Sequence, residues 1–169
     1  MKPALRLALA AVLLLAALAT WRGTALSHCE IPCGIYGDRL RVDLLFEDIA
    51  TVEKSMLQIE DASVNFQQKV RWVQNKETHA NKIQEVVTQY FMTQRVKPKA
   101  PGSDGSAKYL KQLTSLHEML IFAMKAKQTT DPAHCAKMRE HLHAFSAAYF
   151  SKEDLDHIKG HHKGHDHKK

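Results

Sequence analysis

Residues 28–36 read His-Cys-Glu-Ile-Pro-Cys-Gly-Ile-Tyr, and they concentrate most of the metal-binding chemistry of the chain. Cys29 and Cys33 lie close enough to form a disulfide or to share a metal, and Pro32 restricts the loop between them. If the chain is cut between Ser27 and His28, the His28 amine becomes a donor beside the Cys29 amide nitrogen. Amine, amidate and Cys29 sulfur then come from adjacent atoms and tend toward a plane with the Cys33 sulfur. Planar nitrogen–sulfur sets suit Ni(II) or Cu(II), whereas Zn(II) prefers a tetrahedron. The His28 imidazole is tethered to the same residue and could approach along the axis. Gly34 allows a tight exit from this hook. In an exported protein a plain Cys29–Cys33 disulfide is the competing reading.

The order His-Cys-x-x-Pro-Cys-Gly-x-Tyr at a processed terminus resembles the nickel-binding hook of nickel superoxide dismutases. A weaker likeness runs along the mature chain, including Tyr90-Phe91 and Thr130-Asp131-Pro132-Ala133. The resemblance implies a Ni(III)/Ni(II) couple with one nickel per chain. Its ligands would be the His28 amine, the Cys29 amide nitrogen, both sulfurs, and the His28 imidazole in the oxidised state. Tyr36 would stand beside the open face of the metal, where superoxide arrives. The same resemblance implies a homohexamer. The chain departs from the family pattern at Glu30 and in a loop one residue shorter after Tyr36. For the acid that orients the imidazole, Asp43 is the candidate, with Glu47 behind it. A secreted nickel- or copper-binding or metal-delivery protein is the alternative from another functional class.

The elements that must position the hook follow from the rest of the 169 residues. Lys2 and Arg6 precede an apolar run over 7–19, about the length of a signal-peptide core and too short for a membrane span. Ala25 and Ser27 put small residues at the positions such a cleavage needs, so residues 1–27 read as a removed leader and the product as periplasmic or extracellular. Losing Lys2, Arg6 and Arg22 lowers the formal charge from +6 to +3. The mature chain is mildly basic, which helps attract a small anion but is no nucleic-acid footprint.

After the hook (28–37), residues 38–158 carry four apolar stripes at spacings of three and four, and none alternates like a strand. The first is Leu40, Leu44 or Leu45, Ile49, Val52, Met56 and Ile59. The second is Phe66, Val70, Val73, Ala80, Val87 and Phe91, interrupted by Glu77. Residues 97–105, rich in Pro and Gly, break the pattern. Ser106 is expected to cap a third helix bearing Leu110, Leu113, Leu116 or His117, Leu120 and Met124. Asp131 and Pro132 open a fourth with Cys135, Met138, Leu142, Phe145 and Tyr149. The fold class is therefore all-α, an antiparallel four-helix bundle with an N-terminal metal-binding hook.

Cys135 falls on a core stripe and reads as a buried structural thiol. His79 and His117 have carboxylates nearby in sequence, whereas His141 and His143 are two apart and face different ways. The tail 159–169 contains His161, His162, His165 and His167, a tract able to gather nickel or other late transition metals as an accessory site.

Overall fold

The computed structural model describes residues 37–152 and Leu155. Four helical rods are present among them and no strand: α1 (Asp38–Glu60), α2 (Phe66–Glu85), α3 (Ser106–Gln128) and α4 (Ala133–Tyr149). Directly after α2, and continuous with it, comes a π-helical segment, Val86–Arg95. Each rod packs against two others, α1 on α2 and α4, and α3 on α2 and α4. Pairs across α1 and α4 run in opposite senses. Asp38 meets Tyr149, Phe46 meets His143, Glu53 meets Arg139, and Met56 meets Cys135. The bundle is therefore antiparallel, as short joins between successive helices require.

The core is built from Val42, Leu45, Phe46, Ile49, Val52 and Met56 of α1 with Met138, Leu142 and Phe145 of α4. Ala80, Ile83, Val87 and Phe91 close it from the second rod, and Leu116, Met119, Ala123 and Ala126 from α3. Three of the expected stripes are shifted. On α1 Leu45, Ile49, Val52 and Met56 are buried as expected, but Leu40 and Leu44 are exposed and Val42 turns inward at the start of the helix. Leu110 and Met124 are exposed, because the inward face of α3 is lined partly by Ser115, Ala123 and Ala126, small residues that a hydrophobicity pattern passes over. Phe66, Val70 and Val73 are also exposed, Phe66 at 81 %. Their spacing is helical, but α3 ends level with Lys76, so the first two turns of α2 extend past the helix that would cover them. On α4 the expected face holds: Cys135, Met138, Leu142 and Phe145 are all buried.

Local signals explain the rod ends. The Asn65 side chain accepts the Gln68 N–H at 3.0 Å and starts α2. The Asp131 carboxylate accepts the Ala133 N–H at 2.9 Å, as a cap should. Ser106 does not act as a cap. It is the first residue of α3, and Gly105 precedes it at φ 79°, a left-handed conformation that glycine adopts without strain. At the other end α4 closes at Tyr149, where Phe150 turns extended. Of the stretch from there to residue 158, Ser151, Lys152 and Leu155 are described, and the Leu155 N–H donates to the Ser151 carbonyl at 3.1 Å.

Lys76 occupies a core position, 4 % exposed, and its side chain finds partners there. Its Nζ donates to the carbonyls of Ala126 (2.8 Å), Lys127 (2.7 Å) and Thr129 (3.4 Å), and pairs with Glu77 at 3.3 Å. The ammonium thus satisfies the orphan carbonyls at the end of α3 and complements the negative end of that helix. Lys76→Met should keep the helical content and lower stability by about 2–4 kcal/mol in urea unfolding, because the carbonyls lose a charged donor. An unchanged unfolding midpoint would contradict this role.

Candidate metal centre and the base that presents it

Residues 28–36 lie outside the described residues, and so do His161, His162, His165 and His167. What the structure shows is the platform from which the hook departs. Gly37 is extended (φ −68°, ψ 128°) and leads into Asp38, the first residue of α1. A carboxylate there suits the positive end of the helix.

The Asp38 carboxylate receives three donors from two other rods. Tyr90 Oη donates to Oδ1 at 2.6 Å. Arg95 Nη2 and Tyr149 Oη both donate to Oδ2 at 2.7 Å. The π-helical turn makes this possible. Residues five apart on an α-helix point about 140° away from each other, so Tyr90 and Arg95 could not share one acceptor. In the wider turn, closed by the Val96 N–H on the Phe91 carbonyl at 2.8 Å, both reach Asp38. Thr93 and Gln94 side chains donate to the carbonyls of Thr88 and Gln89, each five residues back, and support the same geometry. The Arg41 and Arg95 guanidiniums lie 5.2 and 5.9 Å from the Tyr90 ring centre. Below, Phe91 packs edge-on against Tyr90 (5.1 Å) and Phe145 (4.9 Å).

Charge sharing sets the protonation states. Burial alone would raise the Asp38 carboxyl, but hydrogen bonds from Arg95, Tyr90 and Tyr149 outweigh it and hold the group below its ordinary value. Burial, and then the negative charge of Asp38, push the phenols of Tyr90 and Tyr149 up to about 12. Both tyrosines are therefore neutral donors at working pH.

The other candidates separate clearly. Asp43 is half-buried on α1 and Glu47 one turn on is exposed. His79 is tied up structurally, its Nδ1 2.5 Å from Asp48 Oδ1 across α1 and α2. His117 is exposed. His141 stacks on Phe122 and His143 lies against Phe46, on different faces. Cys135 is fully buried with its Sγ 3.8 Å from Met56 Sδ, and burial pushes its thiol up to about 12. That thiol is not an available thiolate ligand at neutral pH. Among the described residues no group of three or more His, Cys, Asp or Glu side chains could hold a metal. Sequence reading took Asp38 only as a helix start and passed over Arg95, since nothing in the chain links position 38 to positions 95 and 149.

The sequence model of nickel-containing superoxide dismutases matches residues 23–153, which spans the hook and the whole bundle. No curated protein and no solved structure matches the chain.

The Asp38 cluster sets the pH range of stability. A lowered carboxyl contributes stability above its ordinary value of 3.8 and loses it as pH falls through the lowered value. Raised phenols contribute below pH 10 and lose that contribution between 10 and about 12. Two of the four tyrosines should therefore titrate late in alkaline absorbance. Asp38→Asn should bring both back toward 10 and cost about 2–3 kcal/mol of stability at neutral pH. Unshifted titrations in that variant would show that the carboxylate does not organise the cluster.

Proposed function

The chain belongs to the nickel-containing superoxide dismutase family, and from that premise we propose that its nickel is held in the hook by His28, Cys29 and Cys33. Superoxide dismutase is an oxidoreductase, and nickel is its cofactor. The bound metal would supply a one-electron Ni(III)/Ni(II) couple, through which one superoxide leaves as dioxygen and another as hydrogen peroxide. Cys29 and Cys33 would act as anionic sulfur donors, which favour the higher oxidation state. The His28 amine, the Cys29 amide nitrogen and the His28 imidazole would be the nitrogen donors that help hold it. Tyr36 would limit access to the open face and hydrogen-bond to a small anion or water. Asp43, with Glu47 behind it, would orient the imidazole.

What supports the ligand assignment is the donor chemistry. Cys135, the third cysteine, is locked against Met56 in the core, so the two hook cysteines are the ones free to ligate. The bundle supports the reading by anchoring the chain at Asp38, two residues after Tyr36. Export with removal of residues 1–27 is part of the same proposal, because only a terminal His28 offers an amine. Assembly as a homohexamer is likewise proposed. Its support is the stripe Phe66, Val70 and Val73, together with Leu40 and Leu44, apolar side chains that are exposed among the described residues.

Cys29→Ser and Cys33→Ser should each abolish nickel retention and superoxide decay while leaving helical content unchanged. Cys135→Ser should retain nickel and activity and lower stability by about 1 kcal/mol. Metal analysis and decay kinetics on the three variants decide it. Cys135 proving as necessary as the other two would refute the assignment, and nickel retention without turnover in the unmutated protein would favour metal storage.

A further inference from the structure

The end of the bundle that carries Asp38 also holds a cavity of about 260 Å³. Its wall begins with Arg95 at the end of the π segment and continues through Lys97 and Lys99 of the following loop. Lys108 and Gln112 of α3 and Tyr149 of α4 complete it. Four of these side chains are cationic, and among the described residues no Asp or Glu lines the space. Among the described residues Lys97, Lys99 and Lys108 line the same space and form no ion pair. Arg95 is different, because Asp38 fixes it from behind through Nη2. Its Nε is buried and has no hydrogen-bond acceptor among the described residues. Gln112 is held rigidly, 8 % exposed, with its Nε2 donating to the Ala148 carbonyl at 2.9 Å. The cavity therefore pairs one guanidinium held by Asp38 with three lysine side chains that form no ion pair among the described residues.

Solvated lysines on a surface normally diverge and need no ligand. Here the backbone makes them converge on one hollow, and the left-handed turn at Gly105 aims the start of α3 at the same place. Fixed guanidinium donors and lysine point charges are the combination that recognises phosphate-like oxyanions. The volume lies below the usual range of about 300–1,000 Å³ for drug-sized ligands, which favours a small anion over a nucleotide. We propose that this cavity is a binding site for a small multivalent oxyanion, of the size and charge of inorganic phosphate.

The test uses the full nickel-loaded chain, with inorganic phosphate as probe and a constant chloride background. Isothermal calorimetry and phosphorus NMR should show one saturable site per chain. Lys97→Gln, Lys99→Gln and Lys108→Gln should each weaken binding by about five- to tenfold, and the triple variant should show no saturable binding. Lys125→Gln, on the far end of α3, should bind as the unmutated chain does. Phosphate should raise the melting temperature of the unmutated protein and of Lys125→Gln, but not that of the triple variant. Absence of a saturable site, or equal affinity in the triple and Lys125 variants, would overturn the proposal. The readout is phosphate binding and not dismutation, so its failure would leave the nickel reading untouched.

Discussion

One carboxylate governs how the bundle meets the hook. Asp38 is the first residue of α1, and its two oxygens are claimed by Tyr90, Arg95 and Tyr149. Those donors come from the end of the second rod and the end of α4, so three rods are pinned at one point. The chain direction just before that point is set by Gly37, and Tyr36 precedes it immediately. Ordering a metal loop costs conformational entropy residue by residue. A rigid exit lowers that cost at one end, and a metal closing residues 28–33 on themselves would supply the remainder.

The two ends of the bundle solve different problems. At one end α3 would finish on bare carbonyls, and Lys76 from α2 answers them from within the core. Beyond that point Phe66, Val70 and Val73 stand exposed. At the other end the second rod widens into a π-helix, which costs regular hydrogen bonding but turns Tyr90 and Arg95 toward the same acceptor. Such segments are usually short and concentrate at functional sites. This one runs for 10 residues. The anionic knot at Asp38 and the cationic cavity share Arg95 and Tyr149, so one end of the bundle carries both the point where the chain enters α1 and a cluster of four cationic side chains.

Much of the fold was legible because it depends on short-range patterns. The break at 97–105, the cap at Asp131 and the buried face of α4 follow from residue types a few positions apart. The shifted faces of α1 and α3 were not legible, since Ala123 and Ser115 pack inward by virtue of being small and Leu110 is left outside by the reach of its neighbours. Lys76 was not singled out in the sequence because its partners, the last carbonyls of α3, are about fifty positions away. The same distance hid Asp38. Its donors lie 52, 57 and 111 residues further on, and the π-helical turn that aligns two of them has no simple sequence signature. The hook is the reverse case. Every proposed donor falls within six residues, so the sequence names them without help from the fold.

The central claim is that the His28 nitrogen coordinates nickel as a free amine. Joined to Ser27 it would be an amide, with no lone pair for simple coordination, and the imidazole would be displaced with it. Two forms of the chain should therefore be prepared, one starting at Ser27 and one at His28, each confirmed by N-terminal sequencing and loaded with nickel under reducing conditions. The account predicts equal helical content in both, with bound nickel and rapid superoxide decay only in the form that begins at His28. Equal nickel content and equal decay in the two forms would contradict it.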